Sequence, residues 1–189
     1  MRSLKTQCIP KSVEEAIAVD KESGNTLWWD AIVKEMKNAR PAFEEWKKTE
    51  KELRSKGYQK IRCHMIFDIK MGENFRRKAR FVAGGHTTEC APELTYSSVV
   101  SRDTVRIAFL VAALNGLDVL SCDIQNAYLT AKCREKIYTI AGDEFGDEKG
   151  KIMIVVQALY GLKSAGAAFW SLLREALVEL GYKPSRGDQ

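Results

Sequence analysis

The stretch RRKAR at 76–80 sets three cations, Arg76, Lys78 and Arg80, two residues apart. On an extended chain this spacing puts all three on one side, in a row roughly 13 Å long at about 3.3 Å per residue. Such a row could lie along a triphosphate or a nucleic-acid backbone, because each cation beside a phosphate releases counterions. It could equally keep an exposed strand edge from pairing with another chain. A second stretch, CDIQNAYLTA at 122–131, puts one carboxylate, Asp123, at the end of an apolar run and Tyr128 five residues later. In the strand LDVLSCDI, Asp118 and Asp123 fall on opposite faces, so they do not form a same-face acid pair. Cys63, His64, His86 and Cys90 are the metal-ligating types nearest one another, but their spacing fits no common zinc site, and Cys63 and His64 point to opposite strand faces.

The elements that must carry these residues follow from periodicity. In IRCHMIFDIK, Ile61, Cys63, Met65, Phe67 and Ile69 alternate with polar neighbours, which predicts a half-buried strand. MGEN supplies a turn, and FRRKARFVA returns with Phe75, Arg77, Ala79 and Phe81 on one face and the three cations on the other. Before this hairpin, Trp28, Ile32, Met36 and Ala39 at helical spacing predict an amphipathic helix with Asn25 or Thr26 as cap and Pro41 as stop. A second, highly charged helical stretch is expected from 41 to about 55 as a peripheral element, closed by Gly57. SRDTVRIAFLVAALNG predicts a helix capped by Ser101 and stopped at Asn115-Gly116; it is apolar nearly all round and so belongs in an interior. KIYTI and KIMIVVQ read as strands. SAGAAFWSLLREALVELG reads as a last helix with Phe169, Leu172, Leu173, Ala176, Leu177 and Leu180 as its buried stripe. The expected class is α+β, a largely antiparallel sheet with helices on one face.

Length and charge set the outer bounds. The 189 residues carry a net charge of +5, and nine Lys or Arg against two acids lie between Arg54 and Arg80. That leaves the remainder slightly acidic and concentrates the positive field in one segment. No apolar run of membrane-spanning length and no signal peptide is visible, so an intracellular protein without a membrane partner is expected. Five cysteines in an odd set without CxxC spacing suggest reduced thiols.

Three blocks, RKARFVAGGH, YSSVVSRDTVRIAFLVAALNGLDVLSCDIQNAYLTA and ALYGLKSAGAAFW, in this order and spacing, resemble the reverse transcriptase of copia-type retrotransposons. The resemblance runs from about Trp28 to the end of the chain. It implies polymerase fingers and a partial palm, divided as a helical lead-in at 1–56, a fingers-like basic hairpin and loop at 57–100, and the first half of the palm at 101–189. It also implies an RNA template with a DNA primer and deoxynucleoside triphosphates as partners. Cytoplasmic localisation, in a virus-like particle, or nuclear localisation would follow.

For individual residues the resemblance implies specific roles. Asp123 would be the first metal-binding aspartate of the palm, with the carbonyl of Ile124 completing part of the shell of Mg²⁺ or Mn²⁺, hard cations that favour oxygen ligands. Tyr128 would be the steric gate against a ribose 2′-hydroxyl. Lys78 and Arg80, with Arg76 beside them, would contact the incoming triphosphate. Tyr160, Gly161 and Lys163 would stand beside the nucleotide, Gly161 permitting close backbone approach.

Several positions depart from the family pattern. Ser164, Ala165, Gly166 and Ala167 stand where Gln, a small residue, Pro and Arg usually follow LYGLK; Ser98 replaces a common Pro and Gly84 a common Arg. The Tyr-x-Asp-Asp motif of the second metal site is absent, as are RNase H and integrase regions. The chain is therefore expected to have little or no polymerase activity alone and to read as a fragment of a reverse transcriptase. A non-catalytic RNA or RNA–DNA hybrid binding remnant, or a decayed product without function, are the alternatives. A palm sheet cut before its catalytic hairpin is also expected to aggregate.

Overall fold

The computed structural model describes residues 9–72, 74–89, 95, 97 and 99–183. Helix α1 (Val13–Ser23) starts where the Ser12 hydroxyl accepts the Glu15 amide and ends on Gly24 at φ 64°. Near its end, buried Asp20 accepts the amides of Trp28 at 3.0 Å and Trp29 at 2.8 Å, so one helix caps the next. That next helix, α2 (Leu27–Ala39), buries the expected stripe of Trp28, Ile32, Met36 and Ala39. The Thr26 hydroxyl, by contrast, donates to Asp30 and caps no backbone group.

The stripe of α2 packs on a hairpin. Strands β3 (Cys63–Lys70) and β4 (Arg76–Ala83) pair antiparallel, with Ile66 opposite Arg80, Asp68 opposite Lys78 and Lys70 opposite Arg76. Met65, Phe67, Ala79 and Phe81 are buried, and the edge of Trp28 meets Phe67 with ring centroids 5.5 Å apart. The period-two alternation thus sorts the hairpin as the sequence predicts, except that Phe75 precedes β4 at φ 56° and is exposed rather than on the buried face.

A second sheet runs β1 (Phe43–Glu45), β6 (Ile152–Val155), β5 (Ile137–Ile140), β2 (Gln59–Lys60) in spatial order, antiparallel except for the β2–β5 pair. Phe43 of this sheet, Phe81 of the hairpin and Phe145 from the turn Asp143–Glu148 form an aromatic triangle, with centroids 5.3 to 5.8 Å apart. Edge-on ring contacts of this kind join the two sheets through one core. Helices and a largely antiparallel set of strands make this an α+β chain.

Four expectations need correction. Residues 41–55 are not one helix: a 3-10 turn at Arg40–Ala42 leads into β1, and only α3 (Glu50–Ser55) is helical. Phe43 is the reason, since burying its ring in the aromatic triangle requires an extended backbone pairing with β6. Helix α4 (Arg102–Leu114) forms with Ser101 as its cap, but only Ala112 is buried. Ile107, Phe109, Leu110 and Leu114 are exposed, because no described element lies over them. Residues 117–124 form no strand; no described strand pairs with them, and an unpaired strand leaves its backbone groups without partners. Helix α5 (Ala165–Glu179) buries Ala165, Ala167 and Ala168, whereas Leu172, Leu177 and Leu180 of the expected stripe face outward. No described helix is long and apolar enough to cross a membrane.

Candidate functional site

Arg76, Lys78 and Arg80 all lie on the outer face of β4, the face that also carries His64, Ile66, Asp68 and Lys70 of β3. Arg77, between them in sequence, turns inward over the Trp28 ring at 5.3 Å and donates to the Phe75 carbonyl at 2.6 Å. Partial burial, and then the positive charges of Arg80 and Lys70, push the Lys78 ammonium below its ordinary pKa. Clustered like charges of this kind favour an anion that would neutralise them.

From the row, an aromatic path leads across the molecule. The Arg80 guanidinium sits over the Tyr160 ring, 5.1 Å from its centroid. Tyr160 in turn meets Tyr128 at 4.9 Å, and Tyr128 meets Phe169 of α5 at 6.3 Å. Tyr128 is carried by a 3-10 turn, Ala127–Thr130, entered through Asn126 at φ 53°. The fold therefore unites Lys78, Arg80, Tyr160 and Tyr128, which are up to 82 positions apart in sequence.

The turn after Tyr160 is held by backbone. The Ala83 amide donates to the Tyr160 carbonyl at 2.8 Å. Gly161 has φ 91°, and a Cβ there would fall 2.1 Å from the Ala83 carbonyl oxygen; one at Gly85 would fall 2.3 Å from the Gly161 carbonyl oxygen. Glycine is thus needed here for the contact of two protein segments. A Cβ at Gly84 would likewise lie 2.8 Å from the Arg62 carbonyl oxygen, which gives a local reason for glycine at this departure from the family pattern. Lys163 donates from Nζ to the Thr88 carbonyl at 2.6 Å.

Beneath this turn lies a polar junction that the sequence did not signal. Glu135 accepts from the Thr88 hydroxyl at 2.8 Å, the Ser164 hydroxyl at 2.7 Å and the Ser164 amide at 3.1 Å. Ser164 is fully buried. In sequence Glu135 stands between Arg134 and Lys136 and reads as one charge of a solvated turn, so no spacing rule could have found it.

Asp123 and Ile124 are exposed within the irregular segment 117–126. Among the described residues no group of three His, Cys, Asp or Glu converges, so Asp123 and the Ile124 carbonyl do not by themselves make a metal site. Cys63 and His64 diverge, with burial pushing the Cys63 thiol up to about 12 while His64 is exposed; Cys90 and Ser98 lie outside the described residues. A separate cleft of about 480 Å³ opens where Lys60, Arg62 and Cys63 face Thr139 and Glu144. Burial there raises the pKa of the Glu144 carboxyl.

Comparison with known proteins shows the family of the chain. The family described as reverse transcriptase (RNA-dependent DNA polymerase) matches residues 43–189. The chain belongs to that reverse transcriptase family. Among curated relatives, it is 30% identical over 135 residues to the retrovirus-related Pol polyprotein from transposon RE1 of Arabidopsis thaliana, covering 68% of this chain and 9% of that polyprotein. It is 33% identical over 107 residues to the transposon Ty1-NL2 Gag-Pol polyprotein of Saccharomyces cerevisiae, covering 54% of this chain and 6% of that one. The chain thus spans less than a tenth of these relatives. Its resemblance to copia-type elements agrees with both. The family match starts at Phe43, the first residue of β1, so α1 and α2 precede it. No solved structure matches.

Proposed function

We propose that this chain forms the nucleotide-facing part of a retrotransposon reverse transcriptase, the RNA-directed DNA polymerase that adds deoxynucleotides to a primer. The observation that carries the reading is the continuity of Lys78, Arg80, Tyr160 and Tyr128, a cationic row meeting a pair of tyrosines whose rings lie 4.9 Å apart, tilted by 55°. Triphosphate oxygens would lie along the cations, and phosphoryl transfer depends chiefly on such positioning and charge neutralisation. Tyr128 would border the sugar and select against a 2′-hydroxyl. Gly161 and Lys163 act in this reading through the turn that carries Tyr160, while Arg76 extends the row toward the hairpin tip.

Asp123, with the Ile124 carbonyl, supplies one carboxylate toward Mg²⁺ or Mn²⁺, and the further ligands are not among the described residues. The partners are an RNA template, a DNA primer and deoxynucleoside triphosphates, acting with the rest of a polyprotein. The irregular, exposed state of 117–124 beside a well-formed hairpin favours a second reading, in which this chain by itself binds RNA or an RNA–DNA hybrid without chemistry.

The two readings separate on one titration. A labelled primer–template and a deoxynucleoside triphosphate are titrated onto wild-type chain and Asp123→Asn, with and without Mg²⁺. Nucleotide binding that requires the cation and is lost in the variant supports the polymerase reading. Salt-dependent RNA affinity that ignores both supports the binding reading.

A further inference from the structure

We propose that Glu135 is the positioning residue that sets the Arg80–Tyr160 contact, an inference that deepens the nucleotide-facing reading and, for its functional half, rests on it. The geometry makes the case in three steps. First, both carboxylate oxygens are used: Oε2 accepts from Thr88 Oγ1 at 2.8 Å, and Oε1 accepts from Ser164 Oγ at 2.7 Å and Ser164 N at 3.1 Å. The Thr88 hydroxyl has one proton and two acceptors in reach, Glu135 and the Gly85 carbonyl. The carboxylate oxygen is the stronger acceptor of the two, and the Gly85 carbonyl keeps the Thr88 amide at 3.2 Å.

Second, the two residues so joined bracket the junction of β4 with the 159–163 turn. Thr88 follows the Gly85–Thr87 turn that continues β4, and its carbonyl accepts from Lys163 Nζ. Ser164 follows that turn and opens α5. Thr88 and Ser164 are 3% and 0% exposed, so water does not readily replace these bonds. Glu135 therefore fastens both sides of a joint where Gly161 and the Ala83 carbonyl are already at closest approach.

Third, the fastened turn carries Tyr160, whose carbonyl accepts the Ala83 amide and whose ring lies under Arg80. Ser164 supplies both a hydroxyl and an amide to this clamp at a position where the family resemblance leads one to expect glutamine. A carboxylate that merely capped α5 would touch Ser164 alone; this one also reaches Thr88, and through it the end of β4.

Amide hydrogen exchange on the full chain tests the clamp, read at Ala83 and Ser164 with Met153 of β6 as internal reference. Glu135→Ala is expected to speed exchange at Ala83 by about tenfold or more while leaving Met153 unchanged, as loss of charge-assisted bonds loosens the joint locally. Glu135→Gln, which keeps the shape and one acceptor, should fall between the two. Ser164→Ala and Thr88→Val provide the same reading if Glu135→Ala does not fold. Faster exchange at Ser164 with Ala83 unchanged would reduce Glu135 to a helix cap and overturn the proposal. The same samples, titrated with a deoxynucleoside triphosphate, test the functional half: a weakened affinity in Glu135→Ala that Glu135→Gln partly restores supports it, and unchanged affinity despite a loosened Ala83 overturns it. Absence of nucleotide binding in the wild-type chain would instead count against the nucleotide-facing reading, with the exchange result still deciding the clamp.

Discussion

The guanidinium of Arg80 lies over the ring of Tyr160, 5.1 Å from its centroid, although 80 positions separate the two in sequence. The contact joins a hairpin built by strand alternation to a turn built by glycines. It also brings the row of surface charge against an aromatic pair, Tyr160 with Tyr128 tilted beside it at 4.9 Å.

Arg80→Ala and Lys78→Ala should each weaken RNA or triphosphate binding and lower the salt slope of log affinity by about one unit. Both side chains lie on the outer face of β4, so unfolding free energy should change by no more than about 0.5 kcal/mol. Fluorescence titrations at several salt concentrations, beside a thermal melt, check both halves. A large loss of stability with an unchanged salt slope would mean that the row serves the fold alone.

Gly161→Ala should be among the most destabilising single methyl additions in this chain. The backbone is at φ 91°, and the new Cβ would meet the Ala83 carbonyl oxygen at 2.1 Å, so strain of about 2 kcal/mol or more is expected. Gly24→Ala provides the comparison, since φ is 64° there but the space is open, and a loss of about 1 kcal/mol is expected. Urea melts of the two variants should rank in that order.

Two carboxylates should bend the pH dependence of stability in opposite directions. Glu148 is held below its ordinary pKa by hydrogen bonds from Arg40, one of them 2.7 Å from Nη2 to Oε1. Its contribution is present above the unfolded-state carboxylate pKa and is lost as pH falls through the lower folded value. Glu144 has its pKa raised by burial, so its contribution is present below the unfolded value and is lost as pH rises through the folded one. Glu144→Gln should therefore raise the melting temperature at neutral pH and have little effect near pH 4. Glu148→Gln should lower it at neutral pH, with the deficit shrinking in acid.

The outward apolar side of α4 and the segment after it should make the isolated chain self-associate. Phe109 is 57% exposed, Leu114 76% and Leu120 93%, and large apolar side chains left in water to this extent favour association. Phe109→Glu combined with Leu120→Lys should increase the monomer fraction in sedimentation or light scattering without lowering the melting temperature. A monodisperse wild-type chain at high concentration would contradict this.

The sequence by itself determined the elements whose burial is written in a local period. The hairpin alternation, the α2 stripe and the Ser101 cap all appear where spacing puts them, because each depends on neighbours two to four residues away. The blocks from RKARFVAGGH to ALYGLKSAGAAFW likewise pointed to the family that the comparison shows. Tertiary structure decided what depended on distant partners. Phe43 became a strand residue because Phe81 and Phe145 wait across the core, and α5 buries Ala165, Ala167 and Ala168 of its first turn while Phe169 meets Tyr128, which leaves its later leucines outward. Apolar composition marked α4 as interior and 117–124 as a strand, but burial and pairing both require a second surface, and no described residue supplies one. Glu135 shows the same limit in polar form: a carboxylate between two cations carries no periodic signal, and only the fold brings Thr88 and Ser164 to its two oxygens.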